Sequence, residues 1–409
     1  MTKKRIFRLM CAAAIVIAMT ACNKDNDKGK SVSVYVVATK SEYVENYELA
    51  VSGKPRVWVN GFQNPGLVGN AEWGAAHDVF VSGYNVYIVG FSFDLEYSSS
   101  TGSLRQRNTH GVLWTNGIPT ILPTEGIPTF DEREHSTFPY AVFVENGDVY
   151  VAGHYASSYS SRDGGVLVYW KNGVLQKVVD NNPLTRAIVK DMFVYNDVTY
   201  IVGYTRTFDD NYRPIADRAV LWVDGEEHSL HFTTPIQNSH AENIFIENGE
   251  IYISGNLRNS ANSSAGYSEF GYPQIWCGNT TDLQFQYVGV NTDDRMAARG
   301  ICAHKGVWHQ LLQAGEQYGG YRSGTTNYYN GVPWAEQQDF IRICSGNGIS
   351  VECMTIYDGN VYIAAKEHGD KGSSWIYDVY FPAVWGPKGW ETYSSDMSYI
   401  EIHGIAVGQ

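Results

Sequence analysis

A chain of 409 residues with 44% apolar and only 18% charged residues, carrying 29 Tyr and 11 Trp, has too little charge and too much aromatic surface to stay disordered. Its formal charge is −13, and no cluster of Lys and Arg lies beyond the first residues, so binding to a nucleic-acid backbone is excluded. The length exceeds an average domain but suits one large all-β unit.

In chain order, the first element is a targeting segment. Lys3, Lys4, Arg5 and Arg8 precede an apolar run, Leu9 to Ala21, too short to span a bilayer and right for a secretory signal. Met19-Thr20-Ala21-Cys22 resembles the lipobox of bacterial lipoproteins, with Met19 where that family prefers Leu. The polar "NKDNDKGK" that follows is similar to the export tag of surface lipoproteins of Bacteroidetes. The resemblance implies a signal peptide over 1–21, lipidation at Cys22 and a tether over 22–31. It also implies an outer-membrane, surface-facing chain that meets the membrane through lipid and not through a transmembrane span. "DNDKG" at 25–29 lacks the later ligands of a calcium loop, and no CxxC or Cys/His spacing marks a zinc site, so no metal is expected. Cys277, Cys302, Cys344 and Cys353 read as buried thiols, with a disulfide as the alternative that export would permit.

From residue 32 the chain repeats. Short strands centred on Tyr35, Tyr87, Tyr150, Tyr200, Tyr252, Trp308 and Tyr362 recur at spacings of 50 to 63 residues. All but the first follow a second apolar strand, as in "AVFVENGDVYVAG". A third strand closes on an Asn-Gly or Asp-Gly turn, as in "VLWTNG" and "VLWVDG", and a short fourth strand usually follows. Such runs of Val, Ile, Tyr and Trp bounded by turn residues are strands, and the Asn-Gly pairs supply the positive φ of two-residue hairpins.

A repeat of this period implies stacked units, and four-stranded units bury both faces by radial closure. The expected fold is therefore an all-β, seven-bladed β-propeller over 32–409. The first copy lacks its inner strand, and "IEIHGIAV" near the C-terminus aligns with the missing piece, which predicts Velcro closure. The repeat is similar to those of uncharacterised propeller lipoproteins of gut Bacteroidetes.

Antiparallel units send the connections between second and third strands to one face. Here those connections, such as "FSFDLEYSSSTGSLRQRNTH" and "YTRTFDDNYRPIADR", read as long irregular loops rich in Tyr, Ser, Asn and Gly, the composition of recognition surfaces. Near the mouth of the central channel the inner strands place His77, Tyr140, Lys190, Glu242, Arg299, Glu352 and His403, one per copy, with Asp78 and Asp191 beside two of them. This ring is the candidate ligand site; the alternative is a solvated channel whose charges pair with one another. Trp58, Trp114, Trp170, Trp222, Trp276 and Trp385, with Tyr328 in the sixth copy, read as packing between units.

The expectation is a binding or scaffold protein that engages glycan or a surface protein on the loop-rich face, with no cofactor and no assigned catalytic residue. The alternatives are a glycoside hydrolase or polysaccharide lyase using Glu242, Glu352, Asp78 or Asp191, and a purely structural subunit of a surface complex. No nucleophile elbow accompanies His77 and His403.

Overall fold

Asn-Gly and Asp-Gly turns set the local geometry. Asn60, Asn116, Asn146, Asn172, Asp224 and Asn248 all have positive φ and are each followed by a glycine with positive φ. In the turns after third strands the side chain also works across the sheet. The Oδ1 atoms of Asn60, Asn116, Asn172 and Asp224 accept from the backbone N–H of Val34, Val86, Val149 and Thr199 at 2.8–2.9 Å, fixing the start of the second strand.

The structure is a computed structural model that describes residues 32–408 apart from 45–48, 70–72, 99–102, 128–134, 158–164, 180–183, 231–237, 259–271, 290–296, 315–317, 330–331, 338–340, 346–348, 369–379, 388 and 393–399. The proposed signal peptide, Cys22 and the whole of the proposed tether lie outside the described residues.

Among the described residues the strands form six sheets, antiparallel but for one joining pair, with inner strands named first. Gly74–Ser82, Asn85–Ser98, Ser103–Thr115 and Ile118–Ile121 make one; His135–Glu145, Asp148–Ser157, Val166–Lys171 and Val174–Val179 make the next. Thr185–Tyr195, Val198–Phe208, Pro214–Val223 and Glu226–Ser229 follow, joined by a single parallel pairing, Asp217 with Asn238, to Asn238–Glu247, Glu250–Arg258, Tyr272–Asn279 and Gln286–Gly289. Ala297–His304, Val307–Ala314, Tyr318–Tyr329 and Val332–Gln337 make a sheet to which Ile341–Ser345 adds a fifth strand. Ile349–Tyr357, Asn360–His368, Tyr380–Gly386 and Gly389–Thr392 make the next. In the last, Ile400–Gly408 is the inner strand beside Ser33–Val44, Leu49–Val59 and Phe62–Gln63. Val36 faces Ile405 and Val34 faces Val407, so the late strand completes the first sheet.

Each inner strand packs against the next, and Ile400–Gly408 packs against Gly74–Ser82, which closes the circle. The chain is an all-β propeller. Apolar clusters fill the spaces between successive sheets. Trp114 sits with Val37, Val57 and Ile88, Trp170 with Tyr87 and Val142, Trp222 with Tyr150 and Ile201, and Trp276 with Tyr200 and Ile244. These Trp side chains are at most 1% exposed, and truncating a side chain of this size in a packed core costs roughly 3–5 kcal/mol.

Two expectations change. The segment over 91–110 is no irregular loop: Asn85–Ser98 and Ser103–Thr115 continue as one extended hairpin, pairing as far as Ser98 with Ser103. Its alternation of apolar and polar residues supports a strand, which polar composition alone conceals. In the sixth copy the alignment on Trp308 is off by one. Cys302 faces His309, as Phe80 faces Tyr87, so His309 holds the position that Tyr holds elsewhere. Trp308 instead takes the place of Val86 and is buried with Tyr252 and Ile275. "YTRTFDDNYRPIADR" is likewise no irregular loop: Val198–Phe208 and Pro214–Val223 pair as far as Phe208 with Pro214, and Val307–Ala314 pairs with Tyr318–Tyr329 as far as Ala314 with Tyr318. The tips of the other long connections fall outside the described residues.

Candidate functional site

Every residue of the candidate ring stands at a β-bulge. The pairing skips His77, Tyr140, Lys190, Glu242, Arg299 and Glu352 on their own inner strands, and skips His403 between Gly404 and Ile402. A bulge leaves one residue outside the ladder and re-aims its side chain. The repeat thus delivers one inward side chain per inner strand. The glycine of "VYIVG" follows from the same geometry: a Cβ at Gly90 would run into the carbonyl oxygen of Ala75, and one at Gly255 into that of His240.

The ring divides by chemistry. On one side His77 stacks on Tyr140 at 4.4 Å and 5°, and His403 meets His77 edge-on at 5.4 Å. His154 also stacks on Tyr140, at 5.0 Å and 24°. His77 Nδ1 lies 2.7 Å from the carbonyl oxygen of Pro139, and His403 Nε2 lies 3.2 Å from Thr39 Oγ1. Burial, with His403 nearby, lowers the pKa of His77 to about 3. Burial, with Lys366 nearby, lowers that of His403 to about 4, so both are neutral at pH 7.

The other side is charged. Lys190 Nζ lies 3.1 Å from Glu242 Oε2, and Lys366 Nζ, from the neighbouring strand, lies 2.9 Å from Glu352 Oε1. Glu242 raises the pKa of Lys190. Burial alone would raise that of Glu242, but Lys190 and His240 hold it well below the usual carboxylate range.

Asp78 and Asp191 belong to neither half. Asp78 accepts from Val79 N at 2.7 Å and, across to the next sheet, from Val142 N at 2.9 Å. Asp191 accepts from Met192 N at 2.7 Å and, across to the next unit, from Ile244 N at 3.0 Å. Both carboxyls act as brackets between neighbouring units. The blades enclose them: burial, then the charge of Asp191, raises the pKa of Asp78 to about 8, and burial raises that of Asp191 to about 7.

A buried network behind Glu242 was not visible in the sequence. His240 Nδ1 lies 3.5 Å from Glu242 Oε1, and His240 Nε2 lies 2.8 Å from Asp217 Oδ2. Arg206 donates to both Asp217 oxygens at 2.8 and 2.9 Å, and Tyr204 stacks on His240 at 3.7 Å and 4°. Burial would raise the pKa of Asp217, and the bonds from Arg206 and His240 reverse that. Cys277, Cys302 and Cys353 are thiols and not disulfide-bonded, and burial raises the pKa of the last two; the side chain of Cys344 lies outside the described residues.

A second concavity opens where the extended hairpin leaves its sheet. It has a volume of about 540 Å³ and is lined by Trp73, Ser92, Phe93, Asp94, Asn108 and His110. Trp73 is four residues ahead of His77, roughly 13 Å along an extended strand. Phe91 bridges the two regions, 5.3 Å from His77 and 6.1 Å from Phe93. Among the described residues no group of three or more His, Cys, Asp or Glu side chains is arranged to hold a metal ion.

No protein-family model and no curated protein matches the chain. Solved propellers do resemble it. A periplasmic gluconolactonase of Pseudomonas aeruginosa aligns over 90% of this chain and 99% of its own, at 10% identity and a TM-score of 0.40. A putative 6-phosphogluconolactonase of Bacteroides fragilis aligns over 94% and 100%, at 12% identity and a TM-score of 0.43. An ulvan lyase, a polysaccharide lyase, aligns over 76% and 84%, at 10% identity and a TM-score of 0.43. Likeness at this level concerns architecture and leaves activity to be argued from this chain's own residues.

Proposed function

We propose that the chain is a seven-bladed, lipid-anchored binding propeller of the bacterial outer membrane, of Bacteroidetes type, which engages glycan or a surface protein on its loop-rich face without transforming it. One observation carries the non-catalytic reading: the acids of the ring are already committed. Glu242 is paired with Lys190, Glu352 with Lys366, and Asp78 and Asp191 each hold two backbone N–H groups. Glycoside hydrolysis by two carboxyls asks for one that donates a proton and one that attacks or activates water, with both open to the sugar. Glu242, held ionised by its neighbours, is a poor proton donor. The closed circle of inner strands and the eight-stranded sheet's single joining pair support the count of seven blades.

The test is twofold. The full chain is incubated with a panel of neutral and acidic oligosaccharides while binding and product release are both followed. Binding without products supports the reading, and turnover that Ala variants of the ring abolish overturns it. In the producing cell, radiolabelled fatty acid enters the wild-type protein and is lost in Cys22→Ala, which then leaves the membrane fraction. Labelling that persists in the variant refutes the anchor.

A second reading rests on Asp78 and Asp191, which stand next to ring residues between the units and titrate near neutrality, the range suited to general acid–base chemistry. Loss of product release in Asp78→Asn, at unchanged stability, would favour it.

A further inference from the structure

The ring's side chains are engaged with one another: His77 and His154 both stack on Tyr140, and Glu242 and Glu352 are paired with lysines. The cleft beside the extended hairpin differs. We infer that this cleft, and not the ring, is where the propeller holds a neutral saccharide unit, an inference that rests on the binding reading above and names its site.

Three observations converge there. The volume, about 540 Å³, falls within the range of small-ligand sites, roughly 300–1,000 Å³. The hairpin is built irregularly at this point. The register shifts between Ser92 and Asp94, opposite the step from His110 to Arg107. Asn108 sits at this bulge with φ +50°, a left-handed conformation that Asn adopts more readily than most residues. The bulge turns Asn108 so that its amide donates to Asp94 Oδ2 at 2.8 Å. An amide and a carboxylate locked together offer a donor and acceptors to neighbouring hydroxyls. Lastly, the Trp73 indole lines the same cleft and is held in place. Phe93 N donates to the Trp73 carbonyl oxygen at 3.3 Å, and Lys54 Nζ from the adjoining sheet lies over the indole at 5.0 Å.

An indole beside hydroxyl, amide and carboxylate groups suits a sugar ring, with its apolar C–H faces and its rim of hydroxyls. Charge selects within that class. Arg107 is tied to Glu96 at 3.1 Å, and the Asp94 carboxylate is set against the Lys54 ammonium over the indole, so no net positive charge is left there to draw a uronate or sulfated unit.

The test measures binding of cellobiose, maltose and their glucuronate-containing counterparts to the intact full-length chain by calorimetry. It then compares Trp73→Ala, Trp73→Phe, Asp94→Ala and Asn108→Gly, with Tyr140→Phe as the ring control. Asp94 is exposed, and glycine accepts the φ of Asn108, so these two variants keep the fold even where Trp73→Ala does not. The expected result is binding of a neutral disaccharide that weakens at least tenfold in Trp73→Ala and three- to tenfold in Asp94→Ala and Asn108→Gly. It should be largely kept in Trp73→Phe and unchanged in Tyr140→Phe. Neutral-sugar binding that stays within twofold in Asp94→Ala and Asn108→Gly overturns the assignment to the cleft and leaves the binding reading intact. Binding of the glucuronate ligands alone overturns the neutral class in the same way. Failure of every sugar to bind the intact chain overturns the inference together with the glycan half of that reading.

Discussion

The two halves of the channel ring answer the same structural problem differently. All seven ring residues are bulged out of their inner strands, and each has to satisfy a polar side chain that is only partly exposed to water. Around His403, His77 and Tyr140 the solution is neutrality: the imidazoles give up their protons and stack. Around Lys190, Glu242 and Glu352 it is pairing, extended through His240 and Asp217 to Arg206. A stacked neutral cluster loses little when one contact goes, whereas an enclosed ion network strands its remaining members. The halves should therefore differ in how sharply they respond to substitution and to pH.

The largest expected effect lies in the charged half. Asp217→Ala leaves both Arg206 and His240 enclosed without their shared acceptor, and breaking a buried pair costs about 3–5 kcal/mol. Urea denaturation of the variant should show a loss near 4 kcal/mol. A loss below 1 kcal/mol would mean that water reaches the network and that the contrast between the halves fails.

An intermediate effect separates the groups by pH. Asp78 and Asp191 have folded pKa values of about 8 and about 7, against 3.8 unperturbed, so the folded state keeps their protons longer and stability falls as pH rises from about 4 to about 8. His77 and His403, lowered to about 3 and about 4 from 6.5, act in the opposite sense: the unfolded chain takes up protons first, and stability falls as pH drops below 6.5. Between about 4 and 6.5 the two pairs offset each other. From 6.5 to 8 only the aspartates act, and stability should fall by about 2 kcal/mol, each titrating group giving about 1.4 kcal/mol per pH unit. Asp78→Asn should flatten most of that slope in melts taken across the range. An unchanged slope would show that Asp78 is ionised in the folded state.

The smallest effect tests the neutral half. His403→Gln removes one edge-on ring contact and a 3.2 Å hydrogen bond to Thr39, worth about 1 kcal/mol, and should leave the slope between pH 6.5 and 8 as it was. A loss of 3 kcal/mol would mean that His403 belongs to the ion network after all.

Much of this architecture is legible in sequence because a repeat multiplies weak signals. One Asn-Gly pair says little, but a series of them at the ends of third strands predicts the turns, and the same periodicity places the ring residues on successive inner strands. What the repeat conceals is whatever differs between copies or depends on a neighbouring sheet. The sixth copy slips by one residue because Trp308 looks like the aromatic that His309 displaces. His240 stands beside Glu242 in "SHAENIF", yet its partners Asp217 and Arg206 arrive from other strands. The cleft depends on the backbone of Asn108, and nothing in "RQRNTHG" announces a positive φ outside a turn.

The pairing of Ser33–Val44 with Ile400–Gly408 also has a consequence for the order of assembly. Thr39 and His403, which meet across it, are 364 positions apart. Synthesis runs from the N-terminus, so the first sheet waits for its innermost strand until nearly all the others have been made. Until then the growing protein is an open arc with two unsatisfied ends, and the long loop that must finally close makes this step slow. The nascent chain is most exposed to sticking to its own copies just before Ile400–Gly408 is made and docks.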